Sequence, residues 1–328
     1  QRQMCIRDRI YPVAAATKGL KGQVMTEMSA LVDSGAVAFS DDGATIMDSG
    51  MQRRVLEYSR LVGKPVMVHA EDRGLVRDGV VNEGPVSTRL GLPGNPAAAE
   101  TVHVARDIHL AEVTGAHLHV GHVSTTGAVR LIREARERGL HVTAEVTPHH
   151  LALTDEATLG YDTNTKMAPP LRSRADVEEC RRGLADGTLD AIATDHAPHA
   201  VHEKEVEFTE APCGVLGFET AFPVVMDLVR ADEISTREVS NSPQAPSVSR
   251  RDQNSSRALA LTAGRTGPAS SPDTGRPSSN EQLASKPKYQ LVVPETAAGE
   301  QVGSATRYQA PSPTQPGAPA SKSSAKTA

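Results

Sequence analysis

Residues 116–147, AHLHVGHVSTTGAVRLIREARERGLHVTAEVT, contain one complete structural unit of this chain. Its two apolar runs, 116–123 and 141–147, have the pattern of strands. Between them, TGAVRLIREARERG has apolar residues at helical spacing and ends on glycine, which helix C-termini favour. The stretch predicts a strand, a helix and a second strand, the unit that builds parallel sheets.

The same alternation extends outward in both directions. Four further strands are predicted at 10–16, 35–40, 65–70 and 189–194, which gives six strands in all. The segments MQRRVLEYSRLVG, PAAAETVHVARDIHLAEVTG and RADVEECRRGLADG predict helices between them. Repeated strand–helix units indicate an α/β fold with a parallel sheet, either a closed barrel or a doubly wound sheet.

Composition excludes several classes of protein. The net charge of −5 and the lack of a Lys/Arg stripe argue against a nucleic-acid partner. No apolar run approaches the roughly 18 residues of a membrane span, so we expect no membrane segment. The three cysteines, at 5, 180 and 213, have no CxxC spacing, which favours a reducing, cytoplasmic location.

Composition also divides the chain into three parts. All twelve histidines lie between His69 and His202, within the segment 10–239 that we predict to be the folded domain. Residues 240–328 are rich in Ser, Pro, Ala, Thr, Gln and Gly and are expected to be disordered. The opening QRQMCIRDR, residues 1–9, joins abruptly to a strand pattern and is expected to be a non-native leader.

Metal-binding side chains stand at the ends of four predicted strands. They are Asp41 or Asp42 in FSDDG, His69 in VHAED, His122 in VGHVST and Asp195 in ATDHAPH. In a βα barrel the carboxyl ends of the strands meet at one mouth, where distant residues can surround an ion. Imidazole and carboxylate suit zinc, so the four positions predict a zinc site.

The remaining histidines have other expected roles. Those on helices or earlier in strands are expected to be structural: His103, His109, His117, His119 and His141. His149 and His150 in TPHHL could support the metal ligands or simply pack. A Ser124–His122–Asp195 triad is the rival catalytic interpretation, but no G-x-S-x-G nucleophile turn accompanies Ser124.

Several motifs together carry a family resemblance. They are SDDG, HAED, GHVSTTGAVRLIREA, VTAEVTPHHL, KMAPPLR, DAIATDHAPH and APCGVLGFETAFP, between about residues 10 and 230. In this order and spacing they closely resemble the dihydroorotases of the amidohydrolase superfamily, in the bacterial type that often works beside aspartate transcarbamoylase. The resemblance implies a TIM-type (β/α)8 barrel and reversible, zinc-dependent closure of N-carbamoyl-L-aspartate to L-dihydroorotate.

The resemblance also implies roles for the strand-end residues. Asp42 would bridge two zinc ions, and His69 and His122 would hold one of them. Asp195 would bind the other ion and act as catalytic acid and base. The residue types suit this chemistry, because hydrolysis of a cyclic amide needs an activated water and a group that carries its proton to the departing nitrogen.

Substrate contacts are implied by a second set of positions. His199 would bind the substrate carboxylate, helped by the backbone of Cys213 and Gly214. Ala168 occupies the position in KMAPPLR where many relatives have Asn, so the ring contact expected there is in doubt. Loss of such a hydrogen bond costs about 0.5–1.5 kcal/mol if nothing replaces it.

One part of the family pattern has no counterpart. The family's first strand ends in His-x-His followed by Arg, and no histidine precedes Asp42 here. We therefore expect a truncated barrel that lacks its first two strands. Such a chain would hold one zinc weakly, since the second position keeps only Asp42 and Asp195, and would have little activity.

Two other functions remain open. A non-catalytic, dihydroorotase-like scaffold subunit of aspartate transcarbamoylase would have no need to keep Asp42, His69, His122, Asp195 and His199 together. An allantoinase or hydantoinase would be expected to carry a lysine ligand at the fourth barrel strand, where this chain offers Asp42.

Overall fold

The six predicted strands form one parallel sheet. A computed structural model describes residues 11–234, so the predicted leader, the predicted disordered tail and Cys5 lie outside the described residues. Numbered along the chain, the sheet strands are β1 (Val13–Ala15), β2 (Ala38–Ser40), β3 (Val66–Val68), β6 (Leu118–Val120), β7 (Val142–Val146) and β8 (Ala191–Ile192). Each lies inside a predicted strand.

The order of the strands in the sheet is their order in the chain. Every neighbouring pair is parallel, as in the register of Val66 with Leu118 and of Leu118 with Val142. Among the described residues β1 and β8 are the two edges. The predicted α/β class with a parallel sheet is confirmed, and the two earlier barrel strands stay an expectation.

Helices connect the strands. The longer ones are α2 (Ser49–Leu61), α5 (Ala97–Thr114), α6 (Thr126–Glu137), α8 (Arg174–Ala185) and α10 (Ala221–Arg230). The shorter ones are α1 (Met28–Asp33), α3 (Arg73–Val76), α4 (Pro85–Leu90), α7 (Pro148–Ala152) and α9 (Val201–Lys204). Three 3₁₀ turns span Lys18–Leu20, Asp155–Gly160 and Thr163–Thr165. None of the helices in residues 11–234 combines the length and apolarity that crossing a membrane requires.

Helix α6 shows how the sequence sets these elements. Thr125 caps it by accepting a hydrogen bond from the Ala128 backbone N–H. Its fully buried residues, Ala128, Val129 and Ile132, share the core with Leu118 and Val120 of β6. The apolar face of the helix therefore packs on one side of the sheet, as the 3.6-residue period predicts.

The other side of the sheet is polar at β6 and β7. His117, His119, Thr143 and Glu145 alternate with the core residues and so face away from α6. The Thr143 hydroxyl lies 2.8 Å from His117 Nε2 and 2.9 Å from His119 Nδ1. His117 and His119 are thus held within the sheet, which agrees with a structural role.

A small excursion interrupts the alternation after β3. Strands β4 (Val81–Asn82) and β5 (Gly94–Asn95) pair in parallel, separate from the main sheet. The backbones approach closely, because a Cβ on Gly94 would lie 2.8 Å from Glu83 Cα. The pair places two buried asparagines, Asn82 and Asn95, beside the carboxyl end of β3.

Candidate metal centre

The two aspartates after β2 have different surroundings. Asp41 is buried, and its Oδ1 accepts hydrogen bonds of 2.9 Å from the backbone N–H groups of Ala16 and Thr17, while the Thr17 hydroxyl donates to Oδ2. Asp41 therefore fastens the end of β1 to the end of β2. The Asp42 side chain is 69% exposed and free of such bonds, which leaves it available to an ion.

Three predicted ligands converge at the carboxyl ends of β2, β3 and β6. His69 Nδ1 lies 2.9 Å from His122 Nε2. Asp42 Oδ1 lies 3.5 Å from that His69 nitrogen and 3.7 Å from that His122 nitrogen. Both imidazoles are buried, so the three atoms form a small triangle that opens on the Asp42 side.

The triangle fits zinc. Ligand bonds of about 2.0–2.2 Å in a tetrahedron place ligand atoms roughly 3.3–3.6 Å apart. The observed separations of 2.9, 3.5 and 3.7 Å lie on both sides of this range, so small shifts of the side chains would accommodate the ion. One carboxylate and two imidazoles are also a common zinc donor set. The residues present therefore match the metal that the sequence predicts.

The backbone and hydrogen bonds around the histidines show constraint. His122 has φ of 35°, in the left-handed region that side chains other than glycine seldom occupy. Its second nitrogen, Nδ1, is buried without a hydrogen-bond partner. His69 Nε2 lies 3.6 Å from Glu71 Oε2, and Glu71 accepts a 3.1 Å hydrogen bond from Asn95. Glu71 thus lies behind the His69 ring, on the side where metal-binding histidines commonly have an outer carboxylate.

Electrostatics at the centre favour a cation. Contacts with His122 and then His69 hold the pKa of Asp42 far below its usual value, although burial opposes this. Burial disfavours the charged form of His69, yet Asp42 and Glu71 outweigh it and raise its pKa to about 9. Two carboxylates therefore create a negative potential at His69, which a bound metal ion would neutralise.

Asp195 lies near this centre but outside the triangle. It is not among the residues whose ligand atoms all lie within 4.8 Å of one another. Burial raises the pKa of its carboxyl, His122 lowers it and Asp42 raises it again. Its φ of 46° is also left-handed. The charges of His122 and Asp42 thus affect the pKa of the Asp195 carboxyl.

The predicted substrate-binding residues are brought together. His199 Nε2 lies 2.9 Å from the Cys213 carbonyl oxygen, so this nitrogen carries the proton and donates. Gly214 has φ of 138°, and a Cβ there would lie 2.6 Å from the Ala197 carbonyl oxygen. Its N–H donates to the Lys166 carbonyl oxygen at 3.0 Å, so that group is already engaged.

The other predicted positions have defined surroundings. Ala168 is half-buried between Met167 and Pro169, both buried. His150 is satisfied at both nitrogens, 2.8 Å from Thr147 Oγ1 and 3.1 Å from the Pro169 carbonyl oxygen. His149 is buried with Nε2 lacking a partner. Both ring nitrogens of His150 are therefore engaged within the fold, so neither is free to bind a metal ion.

Sequence reasoning missed a group of polar residues beside the ligands, one half-buried and four buried. They are the half-buried Glu71 and the buried Asn82, Asn95, Glu100 and Arg172. Glu71 and Arg172 lie inside quoted motifs, HAED and KMAPPLR, but motif position alone does not show burial. Charged residues within apolar segments were the only available signal.

Comparison with known proteins points to one family. A family model described as Dihydro-orotase-like matches residues 2–128. A dihydroorotase of Anaeromyxobacter dehalogenans strain 2CP-C is 59% identical over 231 residues, which are 70% of this chain and 53% of the relative. One of Pelotomaculum thermopropionicum is 58% identical over 216 residues, 66% of this chain and 51% of the relative.

Solved structures agree on the fold. The D-hydantoinase of Bacillus sp. AR9 is 26% identical with a TM-score of 0.58, over 70% of this chain and 53% of that one. The L-hydantoinase of Arthrobacter aurescens, at 24% identity and a TM-score of 0.60, shows the same fold. The chain spans about half the length of the curated relatives it matches.

Proposed function

The chain belongs to the dihydroorotase family of the amidohydrolase superfamily, and from this premise we propose that its site serves the zinc-dependent interconversion of N-carbamoyl-L-aspartate and L-dihydroorotate. The observation that carries the proposal is the convergence of Asp42, His69 and His122 at the carboxyl ends of three adjacent strands. Catalytic residues of βα barrels stand at this end of the sheet. The dihydroorotase relatives, identical at more than half of the aligned positions, supply the substrate class.

The three ligands and Asp195 have different proposed roles, metal binding and proton transfer. Zinc, when bound, supplies Lewis-acid activation of a carbonyl and of water. Asp42, His69 and His122 would hold the ion. Asp195, with a pKa raised by burial, is suited to take a proton from water at its carboxylate and deliver it to the ring nitrogen that departs.

The substrate carboxylate has a candidate partner in His199. Because Nε2 of His199 donates to Cys213, the ring is fixed and Nδ1 remains for a ligand. Glu203 Oε2 lies 3.8 Å from that Nδ1. An N–H group at Nδ1 would donate to the anion, with the Cys213–Gly214 backbone beside it. Ala168 offers no hydrogen bond, so we assign it no polar role.

We propose one zinc ion in the triangle, because Asp42, His69 and His122 are the ligands that converge among the described residues. Asp42 and Asp195 by themselves would give a second ion only two ligands. Such an incomplete second site favours the second candidate, a non-catalytic scaffold subunit, whereas the Asp42 triangle favours the enzyme. We expect turnover to be weak.

A binding and turnover experiment separates these possibilities. The purified 328-residue chain is expected to bind one zinc and to turn over dihydroorotate slowly. Asp42→Asn should abolish zinc binding, whereas Asp33→Asn, at the exposed last residue of α1, should leave it unchanged. Turnover at ordinary enzyme rates would contradict the impaired site, and zinc binding with no turnover would favour the scaffold.

Substrate preference and partner each have a separate test. Hydantoin or allantoin turnover exceeding dihydroorotate turnover would favour the hydantoinase-like alternative. Association with aspartate transcarbamoylase stays a prediction, as does the cytoplasmic location inferred from the cysteines. Co-purification with the transcarbamoylase would test the first.

A further inference from the structure

Arg172 lies in the core beside the metal centre. Its side chain is 2% exposed, and its guanidinium donates hydrogen bonds to three residues. Nε donates to Ser124 Oγ at 3.1 Å, and Nη1 donates to the Asn95 carbonyl oxygen at 2.8 Å and to Asn82 Oδ1 at 3.2 Å. The nearest carboxylate, Glu100, is 4.0 Å away. Arg172 therefore works as a hydrogen-bond donor at several places at once.

One set of contacts leads to His69. Arg172 holds Asn95 through its backbone carbonyl and, at 3.5 Å, its side-chain oxygen. This leaves the Asn95 amide nitrogen directed at Glu71 Oε1, 3.1 Å away. Glu71 in turn lies against His69 Nε2. The chain of contacts runs from Arg172 to the outer nitrogen of a metal ligand.

A second set of contacts leads to the loop that carries His122. Arg172 donates to Ser124, two residues after His122. Glu100 accepts hydrogen bonds from the backbone N–H groups of Ser124 and Thr125 at 3.0 and 3.1 Å and from both hydroxyls. The carboxyl end of β6 is therefore fixed from the same buried centre.

We propose that Arg172 is a positioning residue for the metal centre, fixing the loops after β3 and β6 so that His69 and His122 are aligned before an ion arrives. This inference rests on the proposed function in one respect, that the triangle binds zinc. Arg172 ties the β4–β5 pair directly to the loop after β6 and, through Asn95 and Glu71, to the loop after β3.

The consequence is a specific loss of metal affinity. Without Arg172, Asn95 is free to leave Glu71, and the His69 ring loses its outer partner. Changes in such outer partners weaken metal binding by roughly 10- to 100-fold. The same change should distort the ligand geometry, which the visible absorption of bound Co²⁺ reports.

The test compares Arg172→Met with Arg136→Met in the full chain. Arg136 also forms a partly buried pair, 2.7 Å from Asp190, but touches neither ligand loop. Zinc affinity is measured by competition with a chelator, Co²⁺ spectra report geometry, and urea unfolding reports stability. We expect Arg172→Met to weaken zinc binding at least tenfold and to alter the spectrum, with Arg136→Met within threefold of the parent chain. Equal zinc affinity in the two variants would overturn the inference.

A milder pair of variants covers the case in which Arg172→Met does not fold. Asn82 and Asn95 both accept from Arg172, but only Asn95 contacts Glu71. Asn95→Ser should weaken zinc binding severalfold more than Asn82→Ser, and equal effects would refute the relay. Because metal affinity is read without turnover, a chain inactive on dihydroorotate can still support the inference, and an active chain can still refute it.

Discussion

Acidification should destabilise the metal-free chain through its buried histidines. Burial lowers the pKa of His103, His117 and His150 to about 3, against about 6.5 in an unfolded chain. These groups therefore stay neutral in the fold while the unfolded chain takes up protons below pH 6.5. Their contribution to stability is present above pH 6.5 and is lost progressively as the pH falls towards 3.

The magnitude follows from proton linkage. Between pH 7.5 and 5.5 each such histidine costs about 1.4 kcal/mol, or about 4 kcal/mol for three. His69, with its pKa raised to about 9, regains about 1.4 kcal/mol over the same interval, because the folded chain holds its proton more tightly. Asp107, whose pKa burial raises to about 6, regains about 0.8 kcal/mol of stability over the same interval. The net loss is about 2 kcal/mol. His141 and His149, whose pKa values burial lowers, add to this loss, and Asp195, whose pKa burial raises, reduces it.

Urea unfolding at the two pH values, with a chelator present, measures this loss. His117→Gln can keep the hydrogen bond to Thr143 and should reduce the loss by about 1.4 kcal/mol. His109→Gln is the matched control, since that side chain is 74% exposed on α5, and should behave as the parent chain does. An unfolding free energy that is equal at both pH values would refute the reasoning, as would equal losses in the two variants.

Three further changes test other parts of the structure. Asp195→Asn should lower any dihydroorotate turnover by roughly 10²- to 10⁴-fold while zinc binding persists, and unchanged turnover would remove Asp195 from its proposed role. Gly94→Ala should cost about 1–3 kcal/mol in urea unfolding because the new Cβ would meet Glu83, whereas Gly160→Ala, with open space around it, should cost little. Lys204→Met should raise KM more than it lowers kcat. The reason is that the Lys204 ammonium donates to the Pro212 carbonyl oxygen at 2.7 Å, next to the residues proposed to bind the substrate carboxylate. A larger effect on kcat than on KM would contradict this.

Helices and strands with a repeating apolar pattern could be predicted from the sequence, whereas individual contacts between distant residues could not. The α6 unit could be predicted because helical and strand periods are properties of neighbouring residues. The observed strand β1 is shorter than the predicted 10–16, since ladder pairing depends on the partner strand. Strands β4 and β5 have two residues each, too few for any period to be visible.

The site shows the same division. Strand ends identified Asp42, His69 and His122, because parallel strands bring their carboxyl ends together whatever lies between them. FSDDG alone could not show that Asp41 accepts hydrogen bonds from the backbone at the end of β1 and that Asp42 does not. Nor could KMAPPLR show that Arg172 is buried, because its partners lie 48 to 90 residues away in the chain.

The left-handed backbone at His122 and Asp195 has a consequence for protein engineering. Each residue holds a conformation that costs about 1–2 kcal/mol for a side chain with a Cβ and almost nothing for glycine. A library selected only for thermal tolerance would therefore favour glycine at both positions. The selected variants would be more stable but would lack the side chains of His122 and Asp195. Directed evolution of this chain therefore needs a selection for metal binding as well as for heat resistance.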